Sequence, residues 1–323
     1  MAVKVPKIAN SLMPTIGVVV PFYNNDDDIS TCLQSLKCSD YIIDKIVIVN
    51  NSDRPTNIEI IAKEYKNVEV IKAKPRIGFA RANNIGADVI VKLGIEYIIT
   101  LNQDTIISRS CFSELLKPFL ISKDVMIAAP VLYDYALLSI ESFFIRWYLT
   151  QCPTLFYDAL RANIQLAYDV KYVSGACLGI RSSFIQKFGF FDPIYFMYCE
   201  DEDLCRKVEQ LGYRIVLVPK AKVGHNHSHT NGDEKQRRTI SLWKRKSDAI
   251  FMLKNTEAPI FIALFKIIQN HIRSYFSLLI RFRLRYFFET FISDTEFYFD
   301  LPSILRSRCR KKILVKESIG SQL

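Results

Sequence analysis

Between Ile16 and Asn102 the chain alternates four short apolar runs with stretches of helical spacing, and that alternation leaves few architectures open. IGVVV (16–20), KIVIVN (45–50), VEVIK (68–72) and EYIITLN (96–102) read as strands. Helical patterns fall between them, near 28–36, 56–65 and 79–93. Strand and helix in alternation specify an α/β fold: a mostly parallel sheet with helices on both faces. Such sheets take ligands at the carboxyl ends of their strands. Those ends are polar here: PFYNND, NNSD and NQDT.

Farther along, APVLY and YVSGACLGI read as strands, and IVLVP with AKVGH (215–225) as a strand pair broken by Pro219. Residues 141–168 show no clear period. After Thr230 the pattern turns helical, which places a boundary near residue 235 and divides the chain into 1–234 and 235–323. Charge divides at the same place. Residues 235–323 hold 18 Lys/Arg and 7 Asp/Glu, whereas the first 234 hold 25 and 26. A basic segment of this kind suits an anionic partner, either a membrane surface or a nucleic acid. The first residues lack a long apolar stretch and a small-residue cleavage site, so they do not read as a signal peptide. The eight cysteines are scattered without a CxxC pair, which fits reduced thiols in a cytoplasmic protein and not a zinc site.

Four segments carry candidate chemistry. In FMYCEDEDLCRK (196–207), four acids precede Leu204, Val208 and Leu211 at helical spacing, with Gly212 as a stop. Carboxylates cap a helix N-terminus well. Four in a row repel one another, and beside Phe196, Met197 and Tyr198 at least one should have a raised pKa. LNQDT (101–105) ends a strand with Asn102 and Asp104 two residues apart, on one side of an extended chain. An amide oxygen and a carboxylate suit Mg²⁺ or Mn²⁺, and an Asx turn is the plainer use of the same residues. PRIGFARANNIGA (75–87) places Gly78 before a helix whose exposed N-terminus suits a phosphate or a ribose hydroxyl, though it is not GxGxxG. GHNHSH (224–229) spaces three histidines at alternate positions, with His225 at a strand end.

The order of these segments resembles the inverting glycosyltransferases of family 2, which have the GT-A fold, and in particular a rhamnosyltransferase-like branch of bacterial surface polysaccharide synthesis. The resemblance covers roughly residues 14–230 and rests on PFYN, NNSD, GFARANNIGA, LNQD, VSGACLGIR, GFFDPIYFMYCEDEDLCRK and the strand end at His225. It implies a GT-A catalytic domain with a C-terminal helical extension. It implies that Asp104, with Asn102 beside it, holds the donor diphosphate through a divalent metal, and that His225 contacts metal or diphosphate. Pro21, Tyr23, Asn50 and Ser52 then hold base and ribose, and Gly78, Arg81 and Asn83 line the nucleotide. The acid run supplies the base, with Asp201 first, Glu200 its competitor and Asp203 an orienting neighbour. The family usually has Asp where this chain has Asn50, and its metal motif is more often DxD than NQD.

The implied reaction moves a sugar from a nucleotide-sugar donor to a hydroxyl of a lipid-linked saccharide acceptor. Rhamnose from dTDP-rhamnose leads, with galactofuranose, glucose and N-acetylhexosamine from UDP donors as alternatives. The basic segment offers a rival class, nucleic-acid binding, but the balanced first 234 residues contain no recognised nucleic-acid motif, so no nucleic-acid partner is expected. IFIALFKIIQ and YFSLLIRFRLRYFF (within 258–292) are too short or too charged to span a bilayer. They suit a helix lying among headgroups at the inner face of the cell membrane, with RSRCRKK (306–312) against anionic lipid. Packing on the catalytic domain serves them equally well.

Overall fold

The computed structural model describes residues 13–226 and 233–320; the first twelve residues, and His227 and His229 of GHNHSH, lie outside the described residues. Four parallel strands, β1 (Ile16–Phe22), β2 (Lys45–Asn50), β3 (Val68–Lys72) and β4 (Tyr97–Leu101), stand in the order β3-β2-β1-β4. The helices α1 (Asp26–Lys37), α2 (Ile58–Ala62) and α3 (Phe79–Lys92) connect them. β1, β2 and β4 are buried almost throughout, as strands covered on both faces must be. α2 is shorter than its spacing predicts. Lys63, Glu64 and Tyr65 each donate to the carbonyl three residues back, which tightens the end into turns.

The second half continues the sheet. β5 (Thr105–Ile107), α4 (Cys111–Leu115) and α5 (Lys117–Ile121) lead to β6 (Val125–Tyr133). After α6 (Ser142–Gln151), α7 (Pro153–Leu160) and the short β7 (Tyr168–Asp169) come β8 (Cys177–Arg181), α8 (Ser182–Phe188), α9 (Glu200–Gln210) and β9 (Arg214–His225). β8 runs antiparallel between β4 and β6, and β9 lies parallel beside β6. The far edge of β9 pairs with β7 and then with β5. The result is a mixed, mostly parallel sheet of nine strands among the described residues.

Two strand readings change. IVLVP and AKVGH form one continuous strand, not a pair. The register jumps from Pro130–Val218 to Val131–Lys222, so Pro219 sits in a bulge where its missing amide costs no ladder bond. β8 begins only at Cys177, because the backbone before it turns to put the Gly175 amide on Asp201. After α9 and β9, the chain ends in α10 (Glu234–Leu253), α11 (Ile260–Ile280) and α12 (Leu284–Gly320).

Candidate active site

The carboxyl ends of β1, β2 and β4 are stitched together by side chains on backbone. The Asn51 amide nitrogen donates to the Phe22 carbonyl at 2.8 Å. Asn24 N–H donates to Ser52 Oγ at 2.9 Å. Gln103 accepts from Tyr23 N–H at 2.6 Å and donates to the Tyr23 carbonyl at 3.1 Å, so the middle residue of LNQDT fixes the loop after β1. Pro21 lies within β1, in register with Val49. The Asn50 side chain is buried and accepts from Ser52 N–H at 3.1 Å. At the rim, Tyr23 OH and Arg76 Nε both reach Asp53 Oδ2, at 2.9 and 2.5 Å. Donor bonds from Asn24 and Tyr23 hold the Asp53 carboxyl down at about 2. Asp53 and Arg76 were not singled out by sequence, although both lie inside quoted segments.

Asn102 and Asp104 do not lie on an extended chain. β4 ends at Leu101, and 102–104 turn so that β5 can reverse against β9. In that register Thr105 pairs with His225, which brings Asp104 to the end of β9. His225 Nε2 lies 3.5 Å from Asp104 Oδ1, and its Nδ1 lies 3.5 Å from Glu141 Oε1. Burial disfavours the imidazolium, but the nearby Asp104 and Glu141 carboxylates prevail and lift His225 to about 9. Asn102 Oδ1 is buried with no hydrogen-bond partner among the described residues. Those residues contain no group of three or more His, Cys, Asp or Glu that encloses a metal. Mg²⁺ does not need such a cage; it binds one or two carboxylates, waters and substrate phosphates. The Asp104 carboxylate with the unpaired Asn102 oxygen fits that kind of site.

The acid run opens α9, and its four members have four different surroundings. The chain enters the helix through Tyr198 and Cys199, both at positive φ (73° and 63°), which is strained for side chains of this size. Glu200 is 4% exposed; burial, then the Asp201 charge, push it well above the usual carboxylate range. Asp201 is partly exposed. Its Oδ2 accepts from Gly175 N–H at 2.8 Å and Tyr172 OH at 3.0 Å, and its Oδ1 accepts from Glu202 N–H at 2.9 Å. Burial raises its pKa, and these donors restrain the rise. Burial and Asp201 lift Glu202 to about 7. Asp203 differs from all three. It lies 2.6 Å from Lys254 Nζ and 3.1 Å from Lys311 Nζ. Despite burial those cations bring it to about 2. It is committed to Lys254 at the end of α10 and Lys311 of α12, so the reading of Asp203 as an orienting neighbour of Asp201 has a structural competitor.

The helix N-terminus after Gly78 is not open as the sequence suggested. Gly78 is buried at φ 87°, and a Cβ there would lie 2.4 Å from the Phe196 carbonyl. That carbonyl takes the Phe79 amide at 2.7 Å. The rest of GFARANN grips the same loop. Arg81 donates to the Pro193 carbonyl at 3.3 Å, and Asn84 exchanges two bonds with the Phe191 backbone at 2.8 and 3.1 Å. Asn83 is fully buried and donates to the Phe79 carbonyl at 3.1 Å. α3 therefore ties the carboxyl end of the sheet to the acid run.

Comparison with known proteins identifies this arrangement. Glycosyl transferase family 2 matches residues 17–189. The chain belongs to that family. This family 2 glycosyltransferase is 25% identical to rhamnosyltransferase WbbL of Escherichia coli K12 over 235 residues, 67% of this chain and 85% of that one. A stretch of 63 residues is 43% identical to the N-acetylglucosaminyl-diphospho-decaprenol L-rhamnosyltransferase of Mycobacterium tuberculosis. The match spans only 20% of the length of that relative. Among solved structures, GalNAc-T7 with UDP, GalNAc and Mn²⁺ aligns at TM-score 0.55 and 16% identity, over 78% of this chain and 52% of its own. S. aureus TarS 1–349 in complex with UDP aligns at 0.50 and 13%, over 80% and 72%. These likenesses establish the fold as GT-A.

Several residues of this site escaped the sequence reading. Gln103, Gly175 and Asp192 lie inside quoted segments, and nothing local distinguishes their contacts. Glu141 comes from the region without clear period and Tyr172 opens the quoted YVSGACLGI, and only the fold brings them to His225 and Asp201.

Proposed function

We propose that this glycosyltransferase moves a sugar with inversion from a nucleotide diphosphate to a hydroxyl of a lipid-linked saccharide, with Asp201 as general base. The observation that carries the reading is the Asp201 carboxylate, partly exposed and fixed by Tyr172, Gly175 and Glu202 at the entrance of α9. Among its neighbours, Glu200 is the competitor and is driven by burial toward its neutral form. Asp203 is held by two lysines. As the acceptor oxygen bonds to the anomeric carbon, its proton passes to Asp201, and the bond from that carbon to the diphosphate oxygen breaks. A carboxylate in hydrogen-bond reach contributes roughly 10²–10⁴-fold to such a step.

Asp104 and Asn102 would hold the divalent metal, with His225 beside them. When bound, the ion neutralises charge on the departing diphosphate. Tyr23, Asn50, Ser52 and the Asp53–Arg76 pair form the surface proposed for base and ribose. Gly78, Arg81 and Asn83 support it by fixing the loop that leads to Asp201.

Rhamnose is the proposed sugar and dTDP-rhamnose the donor, supported by the two rhamnosyltransferase relatives. The lipid-linked acceptor follows from the same resemblance, and with it a place at the inner face of the cell membrane. Calorimetry with dTDP-rhamnose, UDP-galactofuranose, UDP-glucose and UDP-N-acetylglucosamine, with Mg²⁺, Mn²⁺ or EDTA, tests the donor. Metal-dependent binding of dTDP-rhamnose alone supports the reading, and selective binding of a UDP sugar replaces it.

A further inference from the structure

α11 and α12 fold back on one another. Tyr275 lies against Phe287 at 5.4 Å between ring centroids, and His271, one turn earlier, bonds Tyr298 at 3.1 Å. Their inner faces bury polar groups alongside Ala263, Ile267, Phe297 and Ile304. Asp294 is 2% exposed and holds Arg245 of α10 through two bonds of 2.7 and 2.8 Å, and it also accepts from Tyr275 OH. Thr290 and His271 are buried there too.

The outer faces are apolar. Phe261, Phe265 and Phe276 on α11, and Phe288 and Phe299 on α12, are 60–85% exposed. At the connecting turn Phe282 has φ 54° and is 90% exposed, the extreme of the series. A water-facing helix pair keeps its outer face polar. Apolar surface this continuous on one element marks an interaction site. No helix among the described residues is long and apolar enough to cross a membrane.

Charge selects the partner. No acid occurs between Glu257 and Glu289, a stretch that holds Lys266, Arg273, Arg281, Arg283 and Arg285. A second copy of this face would set these cations against their equivalents. Anionic headgroups would neutralise them. The basic run at 306–312 is differently used: Ser307, Arg308 and Lys311 are buried, with Lys311 on Asp203 and Arg308 on the Leu253 and Ala258 carbonyls.

We propose that the outer face of the α11–α12 hairpin docks on an anionic lipid bilayer, with Phe282 inserted at the tip and Arg281, Arg283 and Arg285 among the headgroups. The proposal rests on the membrane-face placement above and gives it a surface and residues; it does not depend on the donor or on Asp201. Amphipathic helices of this kind lie about 5–10 Å into the headgroup boundary.

The test uses the full chain and vesicles of phosphatidylcholine alone or mixed with phosphatidylglycerol. Truncation at residue 281 is unsuitable, because it also removes Lys311 from Asp203. Wild type is expected to sediment with the mixed vesicles and far less with phosphatidylcholine. Phe282→Glu should weaken that binding about tenfold. Replacing the three tip arginines by Gln should weaken it about fivefold per charge and remove most of its salt dependence. Thermal midpoint and donor binding should not change, which separates a failure here from a failure of the transferase reading. Unchanged vesicle binding in Phe282→Glu overturns the proposal. So does a wild-type dimer that ignores vesicles and becomes monomeric with Phe282→Glu.

Discussion

Lys254 at the end of α10 is 1% exposed and places its ammonium 2.6 Å from Asp203 in the acid run and in contact with Asp192 eleven residues earlier. One cation from the C-terminal helices thus closes the two ends of the loop that leads into Asp201. Ser307 and Lys311 of α12 complete the closure on Asp192 and Asp203. Ser247 adds a bond of 2.8 Å to the Met197 carbonyl. The strained backbone at Tyr198 and Cys199 persists because these contacts surround it.

Removing one partner of a buried ion pair leaves the other uncompensated. Lys254→Met is expected to destabilise the protein by about 3–5 kcal/mol. Lys254→Arg should recover part of that loss. Chemical denaturation of the three proteins checks this, and equal midpoints for Lys254→Met and wild type would contradict it.

The Asp203 carboxyl also sets a pH dependence. Its pKa is lowered in the folded state from the ordinary value to about 2, so its stabilisation is present above the unfolded value. That stabilisation is lost as pH falls from about 4 toward 2. Asp203→Asn should be less stable at neutral pH, and its loss of stability on acidification should be shallower in that window. Parallel acid-denaturation curves would contradict this.

Tyr172 donates to the charged form of Asp201, which lowers the pKa of that base. Tyr172→Phe should therefore move the acid limb of the kcat/KM profile to higher pH, by about one unit, with donor affinity unchanged. An unmoved limb would mean that Asp201 is not the group titrating.

Gly175 shows how close the chain comes to this carboxylate. A Cβ there would lie 3.3 Å from Asp201 Oδ2 and 3.5 Å from a Phe79 ring carbon. Gly175→Ala should displace Asp201 by a few tenths of an ångström and lower kcat about tenfold, while leaving metal-dependent donor binding intact. Steady-state kinetics beside calorimetry distinguishes this from a general folding defect.

The parallel half of the fold was legible because β1, β2 and β4 are buried on both faces, so their apolar runs have nearly the same limits as the strands. β8 and β9 were misread where tertiary contacts outweigh local pattern: Gly175 leaves the ladder for Asp201, and a bulge absorbs Pro219. The acid run was visible as four charges. That Asp203 faces Lys254 and Lys311 while Glu200 is buried beside the Asp201 charge depends on contacts with helices 50 to 110 residues away, which no local pattern encodes. The same distance explains RSRCRKK, which reads as a surface cluster and is in part a set of internal ties.

The most direct test of the assignment of Asp201 as base compares wild type with Asp201→Asn, Glu200→Gln and Asp203→Asn for donor binding and for donor turnover with acceptor present. Asp201→Asn should keep donor affinity within about twofold and lose about 10³-fold in turnover. Glu200→Gln should retain most turnover, and Asp203→Asn should lose stability first. Loss of donor binding in Asp201→Asn, or turnover that survives it, would contradict the assignment.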